Sequence, residues 1–136
     1  DIKAPVSASP YVKDRLGNAV IRVSSAKARL MQIAENSEAY TRERKLIPME
    51  MRVRHLAEIA QVGRNIEEAT LLLYKATAAR GLFLNNPFQR ILRDVLAATN
   101  HVTQNGDDTA GVLGGYLLGI DPPPLIFERS EVPAGF

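Results

Sequence analysis

The stretch NPFQRILRDVLAATNHVTQN, residues 86–105, decides the fold expected for this chain. An asparagine followed by proline is a typical helix start, because the asparagine side chain caps free backbone N–H groups and proline suits the first turn. Apolar residues then recur at steps of three and four, which is the period of a helix with one face on a core. The stretch therefore predicts a helix from Pro87 to about Asn105.

The two faces of this helix differ in chemistry. Its apolar face carries Phe88, Ile91, Leu92, Val95, Thr99 and Val102. Its polar face carries Arg90, Arg93, Asp94, Ala97, His101 and Gln104. Two arginines, a carboxylate and a histidine around a small alanine are typical of a wall of a binding site, whereas a solvated surface more often mixes lysine and glutamate. Four residues separate Arg90 from Asp94, so the spacing also predicts an ion pair on the helix surface.

Three further helices are predicted by the same signals. Their expected bounds are Pro10 to about Ala39, Pro48 to about Ala79, and Thr109 to Leu118, the last capped by Asp107 or Asp108. With no strand pattern present, the fold expected is all-α, an antiparallel up-down four-helix bundle. The bundle occupies residues 10–119, after a linker at 1–9 and before an extended, proline-rich tail at 120–136.

Residue patterns within the helices give finer expectations. The second helix is apolar around much of its circumference at residues 71–74, which predicts a position at the centre of the bundle or at a subunit interface. The glycines of the fourth helix, Gly111, Gly114 and Gly115, are expected to permit close contact with a neighbouring element. The charged residues expected on the outer side of the first helix are Asp14, Arg15, Arg22, Lys27 and Arg29.

Composition excludes several classes of function. The chain has 136 residues and a net charge of +2, too small for a nucleic-acid footprint, and no lysine-rich block supports one. It has no cysteine, which rules out disulfides and thiolate metal sites, and no metal-binding motif appears. No apolar run approaches the roughly 20 residues of a membrane span, and no signal peptide opens the chain. We therefore expect no metal, no nucleic acid, no membrane contact, and a cytoplasmic location.

The chain has two histidines, which lie in different sequence surroundings. His55 follows Arg52-Val53-Arg54, a charged helix surface, and is expected to face solvent. His101 shares a helix side with Asp94 and Ala97. Imidazole titrates near neutral pH, so His101 is a candidate general acid/base or substrate-binding residue. A surface histidine satisfied by Asp94 remains the alternative at this point.

Three motifs together resemble a known family. Residues 86–94, NPFQRILRD, look like the helix that ends the C-terminal α-domain of acyl-CoA dehydrogenase-fold flavoproteins. Residues 11–17, YVKDRLG, and 22–28, RVSSAKA, resemble the first long helix of that domain. The resemblance covers about residues 7–121, nearly the whole chain.

One position separates two branches of that family. Acyl-CoA dehydrogenases commonly place a catalytic glutamate nine residues after the arginine of Arg-Asp, and this chain has Val102 there. His101 instead is similar to the histidine of two-component flavin-dependent monooxygenases (group D, aromatic hydroxylase type). The resemblance implies that His101 is catalytic and that Arg90, Arg93 and Asp94 form a structural ion-pair group.

The resemblance also implies a cofactor and partners. The cofactor is reduced FMN or FAD, delivered by a separate flavin reductase, and the substrate is an aromatic or other small molecule. The residues implied to bind the flavin are Phe83, Asn85, Asn86, Thr103, Gln104 and Asn105. A homotetramer is expected from the same family.

Enzymes of that family are much longer and add an N-terminal helical domain and a central β-domain. The chain is therefore expected to be the C-terminal domain of a monooxygenase and to be inactive alone. Two alternatives remain: an acyl-CoA dehydrogenase-related oxidoreductase domain, or a non-catalytic helical oligomerisation module.

Overall fold

Four α-helices make up the fold. The computed structural model describes residues 8–77, 83, 85–100 and 106–123. The helices are α1 (Pro10–Arg42), α2 (Met49–Ala76), α3 (Pro87–Thr99) and α4 (Gly106–Leu117). The described ranges contain no β-strand. The all-α fold of four helices predicted from the sequence is confirmed, while most of the predicted linker and tail lies outside the described residues.

Helix α2 is the centre of the domain. It contacts α1, α3 and α4, and its contact with α1 is the most extensive. A helix with neighbours on several sides needs apolar residues around most of its circumference. This explains residues 71–74, all of which are half-buried. The central position predicted for this helix is confirmed.

The core between α1 and α2 is a narrow seam of small side chains. Its buried members on α1 are Ala19, Ala26 and Ile33, at seven-residue spacing. Seven residues are close to two helical turns, so these side chains lie nearly in line along one face. Of the buried apolar residues of α2, Ala69 lies on the side of His55 and Glu58, which faces α1. Val53 and Ala60 precede Glu67 by fourteen and seven residues and therefore lie on the other side, toward α3. Because Ala19, Ala26 and Ala69 are small, α1 and α2 can approach closely, and little core volume is available to absorb a larger side chain.

The narrow seam overturns one expectation about α1. Arg22 Nε lies 2.7 Å from Glu68 Oε2, and Arg29 Nη1 lies 3.3 Å from Glu58 Oε1, so both arginines reach α2. The guanidinium of Arg15, which is half-buried, lies 3.6 Å from the centre of the Tyr11 ring. The prediction that Arg22 and Arg29 lie on the outer side was wrong, because both pair with α2, whereas Asp14 and Lys27 are exposed, as predicted. A seam of alanines is so thin that residues one turn beside it still reach the neighbouring helix.

Helix boundaries were predicted best where a proline marks the start. Proline occupies the first turn of α1 and of α3, as predicted. Helix α3, however, ends at Thr99, because Asn100 departs from helical geometry at ψ 1°. Helix α4 begins at Gly106, which places Asp107 and Asp108 inside its first turn instead of before it. The prediction that one of these aspartates is the N-cap was therefore wrong.

Helix α4 ends in a left-handed glycine. Gly119 has φ +84°, its N–H donates to Tyr116 O at 3.0 Å, and Ile120 N–H donates to Gly115 O at 2.9 Å. This pair of bonds is the Schellman motif, which satisfies the last free carbonyls of a helix. A Cβ at Gly111 or Gly114 would meet no atom of the described residues within 4 Å. The close contact expected at these two glycines therefore stays a prediction.

Candidate functional site

The loop before α3 is organised by Asn86. Asn86 occupies the N-cap position, and its side-chain Oδ1 accepts a hydrogen bond from Phe88 N–H at 3.0 Å. Its own backbone N–H donates to Phe83 O at 2.9 Å, which closes a turn. Asn86 therefore has a structural role in starting α3, in addition to the flavin contact implied by the resemblance.

The cap supplies a prediction about stability. Asn86→Ala removes the acceptor for Phe88 N–H and is expected to lower the free energy of unfolding by about 1 kcal/mol. Asn86→Asp keeps an acceptor and should lose little, and Asn85→Ala, at the exposed neighbouring residue, serves as control. Urea unfolding followed by circular dichroism measures the differences. Equal stability of Asn86→Ala and Asn85→Ala would contradict the capping role.

Two further candidate residues are open on the surface beside this turn. Phe83 is 62% exposed, and Asn85 is exposed. An exposed aromatic ring is unfavourable in water unless something covers it, and an amide next to it offers both a donor and an acceptor. An aromatic ring beside an amide fits a flat, apolar ring system with polar edges, such as an isoalloxazine.

The polar face of α3 is solvent-facing over its whole described length. Arg90, Arg93, Asp94 and Ala97 are all exposed. Arg90 Nε and Asp94 Oδ2 are 3.7 Å apart, with side chains 81% and 69% exposed. Such an exposed pair contributes little, about 0–1 kcal/mol. Arg93 makes no ion pair or hydrogen bond with another described residue.

The opposite face of α3 lies on α2 without a fully buried residue. Phe88, Leu92 and Val95 are half-buried there. Near the end of the helix, the Oγ1 of Thr99 lies 3.1 Å from the Glu67 Oε2 of α2. The contact of Glu67 with α3 was not predicted from the sequence. Glu67 and Glu68 are adjacent, and the sequence pattern does not indicate which of the two faces α3.

The remaining candidate residues follow directly after α3. His101, Thr103, Gln104 and Asn105 lie outside the described residues. The described part of this segment ends at Asn100, whose N–H donates to Leu96 O at 3.2 Å. The structure therefore describes the helix that leads to His101, and the role of His101 stays a prediction.

The other histidine is not where the sequence placed it. His55 is only 8% exposed and lines two clefts between α1 and the start of α2, of about 350 and 280 Å³. The second cleft is also lined by Ile33 of α1 and by Ile47 of the connection between the helices. The prediction that His55 faces solvent was wrong. The arginines at positions 52 and 54 suggested an exposed surface, but α1 covers this side of α2 as well.

Some kinds of site find no support in the described part of the chain. No group of three or more histidine, aspartate or glutamate residues there is arranged to hold a metal ion. None of its helices combines the length and the apolar character needed to cross a bilayer.

Comparison with known proteins identifies the family. The family model described as acyl-CoA dehydrogenase, C-terminal domain, matches residues 2–105. This match spans most of the sequence, including the three motifs quoted above. The chain belongs to the acyl-CoA dehydrogenase C-terminal domain family, and the resemblance drawn from the sequence is confirmed.

Individual relatives agree with this assignment. The oxygenase component of an FADH(2)-dependent resorcinol hydroxylase from Rhizobium sp. (strain MTP-10005) is 37% identical over 54 residues, 40% of this chain and 13% of that protein. The structure of XiaF from Streptomyces sp., in complex with FADH2 and glycerol, superposes with a TM-score of 0.83 at 21% identity, covering 90% of this chain. The HsaA monooxygenase of M. tuberculosis superposes with a TM-score of 0.78 at 24% identity over 84% of this chain, and the 3-HSA hydroxylase of Rhodococcus sp. RHA1 with 0.79 at 20% over 85%.

The chain spans only part of each of these relatives. It covers 31% of the XiaF chain and 30% of each of the other two structures. These likenesses establish the fold of one helical domain, and activity, substrate and partners of a whole enzyme are separate questions.

Proposed function

We propose that this chain acts as the C-terminal helical domain of a reduced-flavin-dependent monooxygenase that hydroxylates an aromatic substrate. The observation that carries the proposal is the sequence at the end of α3, with His101 and then Val102 where dehydrogenases commonly have a glutamate. Valine cannot remove a proton from an acyl-CoA. The 37% identity to the oxygenase component of a resorcinol hydroxylase supports the same branch of the family.

In this proposal the flavin lies beside the turn that precedes α3 and the segment that follows it. Phe83 would cover the ring system, and Asn85 and Asn86 would meet its polar edge. Thr103, Gln104 and Asn105 would bind the ribityl and phosphate groups. Bound reduced flavin supplies the electrons that activate O₂. FAD is the first flavin to test, because two relatives are named with FADH2.

The protein's own chemistry in this proposal is proton transfer by His101. A phenol is more reactive toward an electrophilic oxygen after its hydroxyl proton has been removed, and neutral imidazole is a suitable base near pH 7. Arg90, Arg93 and Asp94 are proposed to support the α3 surface instead of taking part in the reaction.

A separate flavin reductase is the proposed partner, because the resorcinol hydroxylase relative is named an oxygenase component. Delivery of reduced flavin between two proteins requires that both share a compartment, and we propose the cytoplasm.

The experiment combines the full-length protein, a flavin reductase with NADH, FAD and ¹⁸O₂, with a panel of phenols headed by resorcinol. The proposal predicts one ¹⁸O atom in the product and no product when the reductase is left out. Failure to bind reduced flavin, together with no labelled product across the panel, would contradict it and favour a non-catalytic helical module.

A homotetramer is the proposed assembly, supported by an uncovered apolar stripe on α1. The stripe consists of Leu16, Val20, Val23 and Leu30, which are 51%, 59%, 44% and 49% exposed. Leu16, Val20 and Val23 follow one another at steps of four and three residues beside the buried seam, and Leu30 lies seven residues further on. Exposed apolar residues on one side of a helix are typical of a surface covered by another subunit or domain.

Charge placed on this stripe is expected to break the assembly. Val20→Glu should shift the full-length protein from tetramer to smaller species in light scattering coupled to size-exclusion chromatography. Ile21→Glu is the matched control, because Ile21 is 65% exposed on the far side of α1. A tetramer that persists in Val20→Glu, or that is lost equally in Ile21→Glu, would contradict this assignment of the interface.

A further inference from the structure

A polar contact joins α2 to the last turn of α3. The hydroxyl of Thr99 lies 3.1 Å from a carboxylate oxygen of Glu67, and both side chains are half-buried. The neighbouring carboxylate, Glu68, turns the other way and pairs with Arg22 of α1 at 2.7 Å. Two adjacent glutamates therefore bind two different helices, and Glu67 is the one that reaches α3.

The Thr99 hydroxyl has one hydrogen and three acceptors within reach. Besides Glu67 Oε2, Val95 O lies at 3.0 Å and Leu96 O at 3.3 Å. The two carbonyls belong to α3 itself, so a bond to either is local and does not fix α3 relative to α2. A carboxylate is the stronger acceptor when ionised. Of the three acceptors, the Glu67 carboxylate is the one that belongs to another helix, so the bond to it ties the last turn of α3 to α2.

This contact is important because the last turn of α3 is only partly covered by α2. No residue of α3 is fully buried, and the outer face of the helix is exposed as far as Ala98. The described helix ends at Thr99, with Asn100 as its C-cap. His101 is the next residue in the chain, two positions after Thr99. A small rotation of the last turn would thus be passed directly to the residue proposed to do the chemistry.

We propose that Glu67 is a positioning residue, which sets the last turn of α3 through Thr99 and thereby the placement of His101. The inference rests on the proposed function for its consequence in catalysis. The contact from which it is drawn depends only on α2 and α3. Catalytic groups that are misplaced by about 1 Å can lose on the order of 100-fold in rate, so one hydrogen bond at this point can have a large effect.

The test uses the full-length protein, five single variants and the double variant that combines Glu67→Leu with Thr99→Val. Glu67→Leu and Thr99→Val each remove one side of the bond. Glu67→Gln and Thr99→Ser keep an acceptor and a donor. Glu68→Leu is the matched control, since it removes the adjacent carboxylate and its bond to α1. The first measurement is product formed per reduced flavin oxidised, with the phenol that the wild-type protein converts best. The second is amide hydrogen exchange of the peptides that cover residues 96–105.

The expected result is a drop in coupling on the order of tenfold for Glu67→Leu and Thr99→Val, with faster exchange confined to the end of α3. The double variant should be no worse than the poorer single variant, because both remove the same bond. Glu67→Gln, Thr99→Ser and Glu68→Leu should stay close to wild type in both measurements.

Two kinds of failure can be told apart. Unchanged exchange and coupling in Glu67→Leu, or equal changes in Glu68→Leu, would overturn the positioning role. Absence of labelled product from the wild-type protein would contradict the proposed function instead. In that case, faster exchange in both Glu67→Leu and Thr99→Val would still support the role of Glu67 in holding α3, and unchanged exchange would overturn it.

Discussion

Replacement of His101 by alanine in the full-length protein is expected to lower the rate of product formation by about 10²- to 10⁴-fold. This range is typical for removal of a general acid or base. The fold should survive, because the four described helices are held by contacts of α2 with α1, α3 and α4. Reduced flavin should still bind and react with O₂, so that its electrons are lost to hydrogen peroxide instead of product.

The second histidine of the chain provides the control for this prediction. His55 is buried in the clefts between α1 and α2, on the part of the fold that holds the long helices together. His55→Gln is expected to lower the melting temperature while product per reduced flavin stays at the wild-type ratio. Wild-type coupling in His101→Ala, or equal loss of coupling in His55→Gln, would refute the proposed role of His101.

Introduction of a charge into the seam between α1 and α2 is expected to have the largest effect on stability. Ala26 is 1% exposed, and Ala26→Glu would place a carboxylate among small apolar side chains, while Arg22 and Arg29 on either side of it are already paired with Glu68 and Glu58. An uncompensated buried charge costs about 3–5 kcal/mol, which is a large part of the 5–15 kcal/mol that typically stabilises a domain. We expect Ala26→Glu to unfold at much lower urea concentration than the wild type.

Ala28→Glu is a matched control two residues along the same helix. Ala28 is exposed, so the same substitution should change the free energy of unfolding by no more than about 0.5 kcal/mol. Equal urea midpoints for Ala26→Glu and Ala28→Glu would show that the seam is not the core of the α1–α2 contact.

Much of the fold could be predicted because its main signals are local. A proline in the first helical turn fixes the backbone dihedral that a helix needs, whatever surrounds it, and it marked the starts of α1 and α3. The periodicity of apolar residues likewise identified the helices and the central position of α2. The end of α3 and the start of α4 were harder to predict, because Asn100 and Gly106 carry no comparably strong local constraint.

The candidate site was harder to predict because its geometry depends on pairs of helices. Which face of α2 meets α3 decides between Glu67 and Glu68, and the sequence holds no marker for that choice. The burial of His55 depends on Ile33 and Ile47, which belong to other elements. Arg22 and Arg29 reach α2 because the seam consists of small residues. In each case the decisive neighbour is distant in sequence, while the nearby residues suggest a solvated surface.

The most direct test of the central claim is an anaerobic flavin titration of the full-length protein, before any substrate is known. Fluorescence or absorbance is used to compare binding of reduced and oxidised FAD, with FMN in parallel, and an acyl-CoA is added to the oxidised complex. A monooxygenase supplied by a separate reductase predicts tighter binding of the reduced flavin and no bleaching by the acyl-CoA. Retention of oxidised flavin that the acyl-CoA bleaches would contradict the account and identify a dehydrogenase.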